Sequence, residues 1–306
     1  MEFSHVPVLL FETINSLNIK DGGIYVDGTV GGGGHSLEIL KSAKNVKLIA
    51  IDRDTDALSA SKKRLEKYSS QVTFINDNFK NIPEILTKLN LKVDGVLLDL
   101  GVSSYQIDSK DRGFSFRLDS SLDMRMDKNQ SYSAKDFVND SGEKEIARVL
   151  REYGEEKFAS RIANFIVKNR PIETTMKLAE VVDKAVPKYK GRDINQTLAR
   201  VFQAIRIEVN DELDGLSELI LKLPDYMNSG ARLSIISFHS LEDRIVKYAY
   251  RELITDCICP KNIPICVCGH RAKGKLVNHK PIIASNEEIK LNSRSTSAKL
   301  RTLEII

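Results

Sequence analysis

The sequence predicts an α/β fold, a parallel sheet covered by helices on both faces and interrupted by an inserted helical domain. Residues 22–54 run through a β-branched stretch, a glycine loop, a helical segment and a second apolar stretch, with a carboxylate closing each strand. Two more apolar stretches, residues 72–75 and 93–100, continue the pattern, and strands this uniformly apolar are buried on both faces. From residue 133 to 213 the apolar spacing becomes helical, and the α/β pattern resumes at residues 232–238.

The bulk properties set the class. A chain of 306 residues, 42% hydrophobic and 29% charged, has room for two compact units and the balance of a globular protein. No apolar run approaches the roughly 20 residues that span a bilayer, and residues 1–17 lack a basic start and a cleavage site. A cytoplasmic protein without membrane contact is therefore expected. The net charge of +4 permits an anionic partner without requiring one.

Taken in order, residues 5–17 open with a short helix expected to pack beside the first strand, residues 24–26. Asp27 ends that strand, and Gly28 and the tetraglycine of residues 31–34 follow, ahead of His35 and a helix over residues 36–42. Glycines let main chain approach a ligand and adopt positive φ, whereas a plain linker would not be flanked so closely by strands. Asp52, closing the second strand about 20 residues past the loop, can accept from both ribose hydroxyls of a nucleoside. Asp27 ahead of the glycines would repel a pyrophosphate, so a cofactor carrying a cation, such as S-adenosylmethionine, fits better than a dinucleotide. The next helix begins with Asp54 or Thr55 as its cap. Asn76, Asp77, Asn78 and Phe79 follow the third strand, where Phe79 either stacks on an adenine or anchors the turn. Residues 82–91 are helical, and Asp99 closes the fourth strand. Asp27, Asp52, Asp77 and Asp99 thus each stand at a carboxyl end, where ligands collect in open parallel sheets.

Residues 101–127 are polar and aperiodic but hold Tyr105, Phe114 and Phe116, which marks a long functional loop. Each stripe in the helical segment is most simply core: Ile146, Val149, Leu150 and Tyr153; Phe158, Ile162, Phe165 and Ile166; Met176, Leu178, Val181, Val182 and Ala185; Leu198, Val201, Phe202, Ile205 and Val209. A helix over residues 240–252 follows the fifth strand, and residues 280–284 and 300–306 close the sheet. The domains are then residues 1–107 with 212–306, and residues 108–211. The four cysteines, Cys257, Cys259, Cys266 and Cys268, form C-x-C pairs, a poorer match to zinc ligands than C-x-x-C. No metal site is assigned, and zinc binding stays open against a thiol-rich loop.

The motifs DGTVGGGGHS, AIDRD, LLDLGVSSYQID, RGFSF, LDMRMD, VFQAIRIEVNDEL, ISFHSLEDRIVK and SAKLR, in this order over nearly the whole chain, resemble the bacterial ribosomal RNA small subunit methyltransferase H family, also called MraW. The departures are Ser120 and Ser121 before LDMRMD, the wording INQTLARVFQA, and SRSTSAKLR in the tail. The resemblance implies a Rossmann-like class I methyltransferase sheet with an inserted helical substrate-recognition domain. It also implies methylation of N4 of a cytidine in the decoding region of 16S rRNA, within the small subunit, from S-adenosylmethionine. It places cofactor contacts on Gly33, Gly34, His35, Asp52, Phe79, Asp99 and Gln106, to which the charge argument adds Asp27.

Cytosine N4 is a weak nucleophile, and acceptors for its N–H groups localise its lone pair. Asp99, with Ser103 and Ser104 on the following loop, stands where such acceptors are expected. His239 after the fifth strand is either a proton acceptor or a structural histidine of the turn. The target base must leave its stack, and Tyr105, Phe114 and Phe116 either stack on it or simply pack. Two basic stretches are candidates for phosphate contact or are solvated faces. They are Lys184, Lys188, Lys190 and Arg192 with Arg200 and Arg206, and Arg271, Lys273, Lys275, Lys280, Arg294, Lys299 and Arg301. A methyltransferase acting on a small molecule or protein would need no basic insert, and a silent ribosome-binding factor would need neither Asp52 nor Asp99. A homodimer stays open.

Overall fold

The computed structural model describes residues 7–103, 106, 107, 109, 111–188, 193–260, 265 and 267–306. The chain divides into two units, Met1–Gly101 with Asp214–Ile306, and Val102–Leu213. This division lies a few residues outside the boundaries read from the sequence and assigns Ser103 and Gln106 to the second unit. No helix among the described residues is long and apolar enough to cross a membrane.

The first unit is built on one sheet. β1 (Ile24–Asp27), β2 (Lys47–Asp52), β3 (Val72–Asn76), β4 (Val93–Asp99) and β5 (Met227–Ser237) are parallel. β8 (Lys299–Ile305) runs antiparallel to β5, and the short β6 (Gly274–Leu276) and β7 (Ile282–Ile283) pair with it. The order is β3-β2-β1-β4-β5-β8-β6, with β7 on β8. Strand order therefore reverses at β1, where an open parallel sheet leaves a crevice beyond its carboxyl ends. Asp27 lies opposite Ala50 and Leu97, so the neighbouring strands run two residues further, to Asp52 and Asp99. The loop leaving β1 fills that step. Gly28 N donates to Leu97 O (2.9 Å) and Val30 N to Ile51 O (3.0 Å).

Period-two alternation sends successive side chains of each strand to opposite faces. Tyr25, Leu48, Ala50 and Leu97 meet α2 (Gly34–Ser42) and α3 (Thr55–Arg64) on one face. Val26, Ile49, Ile51, Val96, Leu98, Leu233 and Ile235 meet α4 (Ile82–Leu89), α10 (Leu216–Lys222) and α11 (Ser240–Leu253) on the other. The opening helix, α1 (Leu10–Leu17), packs mainly on α2 and β5, and its last residue Leu17 joins the Tyr25 cluster. It therefore covers the middle of the sheet rather than lying along β1. A last short helix, α12 (Asn286–Leu291), precedes β8.

The second unit holds α5 (Ala134–Asp140), α6 (Glu143–Glu152), α7 (Ala159–Lys168), α8 (Thr175–Ala185) and α9 (Ile194–Asn210). The apolar stripes form one core, with Met176 the exception, exposed on α8. Residues 111–127 are part of that core: Phe114, Leu122, Met124 and Met126 are buried in it. Buried Arg112 donates to the carbonyls of Arg125 and Met126 (3.0 Å each), and Asn210 on α9 bridges Met126 N and Met124 O (2.8 and 2.7 Å). A segment that reads as a functional loop is thus largely a packed strap, because side chain–backbone bonds stand in for regular structure.

Candidate cofactor and catalytic site

Three of the four strand-end acids are tied together by the loop after β1. Asp27 is 1% exposed; its carboxylate accepts from Ser36 Oγ (2.6 Å) and Thr29 N (3.2 Å). Asp52 accepts from Gly31 N (2.8 Å) on one oxygen and Asp54 N (2.9 Å) on the other. Thr29 closes the circuit, because its Oγ1 accepts from Asp99 N (2.6 Å). Burial pushes the Asp27 and Asp52 carboxyls up to about 6, Asp27 further lifted by the charge of Asp52. Asp99 goes well above the usual carboxylate range, through burial first and then the charges of Asp27 and Glu242.

The glycines have separate reasons. Gly33 is the N-cap of α2 at φ +74°, the left-handed region in which a side chain is strained. A Cβ on Gly34 would stand 2.3 Å from Pro7 Cγ, so this glycine admits the chain ahead of α1. His35, in the first turn of α2, is buried and held near a pKa of 4 by desolvation. Its Nε2 lies 3.1 Å from Val8 O, so the proton sits there and Nδ1 is bare. That bare nitrogen is 3.6 Å from Asp99 Oδ2, while Asp99 Oδ1 is buried without a partner. Among the described residues no group donates to either oxygen of Asp99, unlike Asp27 and Asp52.

Asp77 does not join this set. Its Oδ1 accepts from Asn78 N and Asn81 Nδ2 (2.7 Å each) and so shapes the turn after β3. Phe79 follows in a 3₁₀ turn, half-buried against the sheet core. Of the loop residues, Ser103 and Gln106 cap each other: Ser103 N donates to Gln106 Oε1 (3.0 Å) and Gln106 N to Ser103 Oγ (3.2 Å). Ser104 and Tyr105 lie outside the described residues, as do Lys190, Arg192 and Cys266.

His239 is the N-cap of α11. Its Nδ1 accepts from Glu242 N (3.4 Å), and Glu242 Oε2 accepts from Phe238 N (2.8 Å) in return. That geometry favours the structural reading of this histidine. The two described stacking candidates are likewise packed: Phe114 is in the core, and Phe116 sits edge-on to Phe202 at 5.6 Å. Several basic candidates are paired within the chain. Arg206 is bidentate to Glu212 (2.8 and 2.9 Å), Lys273 meets Asp225, Lys275 meets Glu304, and Lys299 and Arg301 share Asp243. Lys184, Lys188, Arg271 and Lys280 are exposed. Thr29 and Ser36, which fix Asp99 and Asp27, escaped the sequence reading; the signal was a hydroxyl on each side of the glycines.

The donor set fits a cationic nucleoside cofactor. Acids lifted by burial and by one another ionise readily once a positive group lies among them. Asp52 keeps one lone pair on each oxygen for ribose hydroxyls.

A profile of the MraW methylase family matches residues 2–306. The Ribosomal RNA small subunit methyltransferase H of Clostridioides difficile (strain 630) is 52% identical over 312 residues, covering 100% of both chains. That of Clostridium botulinum (strain Loch Maree / Type A3) is 53% identical over 306 residues, covering 98% of both. A Streptococcus mutans structure in complex with SAH aligns at 13% identity and a TM-score of 0.44, over 99% of this chain and 100% of that one. That likeness is too slight to locate a ligand.

Proposed function

This chain belongs to the MraW methylase family, and on that premise we propose that it transfers the methyl group of S-adenosylmethionine to N4 of a cytidine in the decoding region of 16S rRNA. The observation that supports an amine acceptor is Asp99, a carboxylate at the end of β4 to which no described residue donates a hydrogen bond.

When bound, S-adenosylmethionine supplies an electrophilic methyl on a sulfonium. Asp52 holds ribose hydroxyls, with its orientation fixed by Gly31 N and Asp54 N. Asp27, clamped by Ser36 and Thr29, gives the cleft the negative charge that a cation requires. Phe79 offers an apolar face for adenine. Asp99 accepts an N–H of the target amine, which localises the nitrogen lone pair. Burial raises the affinity of Asp99 for a proton, so this carboxylate can take the one that the methylated amine sheds. His35, neutral and bare at Nδ1, offers Asp99 no counter-charge in the resting state. The family resemblance supports roles for Gln106 toward the cofactor and for Ser103 and Ser104 toward the amine, and His239 is a positioning residue at the cap of α11. The substrate places this work in the cytoplasm.

The experiment is methylation of purified small subunits lacking the modification, followed by nuclease digestion and mass analysis of the nucleosides. N4-methylcytidine formed only with S-adenosylmethionine is the expected product. Methyl groups appearing on C5, on a ribose or on protein would overturn the assignment.

A further inference from the structure

The segment between α11 and β6 is the part of the first unit that its apolar core does not explain. Among the described residues from Thr255 to Lys273 not one side chain is buried. The base of the excursion is closed by main chain, with Lys273 N donating to Leu253 O (2.8 Å). Ile258, Ile265 and Val267 are 63, 74 and 75% exposed, so these described apolar side chains do not anchor the segment by burial. Three thiols meet there nonetheless. The Sγ atoms of Cys257, Cys259 and Cys268 all lie within 4.8 Å of one another, with Cys257 Sγ 3.8 Å from Cys268 Sγ, and none is in a disulfide.

We propose that Cys257, Cys259 and Cys268 bind a zinc ion that staples this segment. Two thiolates on a tetrahedral zinc with Zn–S bonds of about 2.3 Å stand about 3.8 Å apart, which is the spacing of Cys257 and Cys268. The third sulfur needs a shift of no more than about an ångström to complete the face. Val267 N donates to Cys259 Sγ (3.4 Å), the kind of outer hydrogen bond that orients and stabilises a metal-bound thiolate. Binding replaces each thiol proton by a bond to the metal, so three protons leave as the ion enters. Three thiolates leave the fourth position of the tetrahedron to water. The C-x-C spacing therefore gains from the fold the convergence that it lacks as a linear motif.

The test uses the untagged full-length chain, purified under reducing conditions. Elemental analysis is expected to show about one zinc per chain, released by a mercurial that titrates the thiols. Cobalt(II) in place of zinc should give the intense thiolate-to-metal absorption of a tetrahedral site. Cys257→Ser and Cys268→Ser should each lose the metal, and chelation of the unmodified protein should expose residues 255–273 to trypsin while leaving S-adenosylmethionine binding unchanged. The chelation arm keeps the idea testable where a serine variant fails to fold. Metal-free protein that takes up no cobalt, stoichiometric zinc retained by both serine variants, or iron with sulfide in place of zinc would each overturn it.

Discussion

Asp99 differs from the other acids of the cleft by what does not reach it. Asp27 and Asp52 each accept two hydrogen bonds from their own loop, so their carboxylates are built into the fold before any ligand arrives. Among the described residues Asp99 is held through its main chain, at Thr29 and in the β4–β5 ladder. Asp99→Asn should therefore leave cofactor affinity within about threefold while cutting single-turnover methylation by the 10²–10³ typical of a lost transition-state contact. If Asp99 serves the cofactor instead, the Michaelis constant for S-adenosylmethionine rises and saturated turnover survives. Asp52→Ala should weaken the cofactor by about 1–3 kcal/mol in a calorimetric titration; unchanged affinity would remove Asp52 from the ribose. The positions of these acids were legible because a strand-end carboxylate is a linear signal. That Asp77 turns back on its own loop was not, since its bonds to Asn78 and Asn81 depend on a turn geometry that spacing does not encode.

At the level of elements, His239 stands at the cap of α11. The reciprocal bonds between His239 and Glu242 satisfy amides at the start of the helix, as a capping box does. His239→Asn keeps a capping acceptor, so its melting temperature should stay near wild type, whereas His239→Ala should cost about 1 kcal/mol. Methylation by the Asn variant discriminates: near-normal turnover makes the histidine a cap, and a stable but inactive variant makes it part of the chemistry. The long elements were readable from their periods. β1, β2 and β4 carry short continuous apolar runs, and α9 repeats Leu198, Val201, Phe202, Ile205 and Val209 along one face. β6, with three residues, is defined only by its pairing to β8, and no local pattern announces it. Residues 111–127 misled for a related reason. Their core contacts come from Phe114, Leu122, Met124 and Met126 at irregular spacing, and Arg112 and Asn210 supply the bonds that a helix would otherwise make.

For the molecule as a whole, the cleft stores electrostatic energy that pH should release. Asp27 and Asp52 have an ordinary pKa of 3.8 when unfolded and about 6 when folded. Between those values the native state holds more protons than the unfolded one, so stability falls as pH rises from about 4 and levels off above about 6. For Asp27, almost wholly buried, the loss is on the order of 2–3 kcal/mol. His35 acts oppositely: its folded value of about 4 against 6.5 removes stability as pH falls through that window. Two acids at about 6, joined by Asp99, outweigh one histidine. The acids held low by partners, such as Asp123 beside Arg125 and Asp243 beside Arg301, act only below their ordinary value of 3.8. Calorimetry of the ligand-free chain should thus show the transition that S-adenosylmethionine raises melting higher at pH 5.5 than at pH 8, with the sign set by Asp99. Asp27→Asn keeps an acceptor for Thr29 N and a partner for Ser36, so it should raise that melting temperature at pH 8 and change it little at pH 5. The cofactor's own stabilisation should be larger at pH 8, because its cation favours the ionised acids. A melting temperature flat between pH 5 and 8, with Asp27→Asn silent at both, would mean that water reaches these carboxylates and that the cleft holds no charge in reserve for a sulfonium.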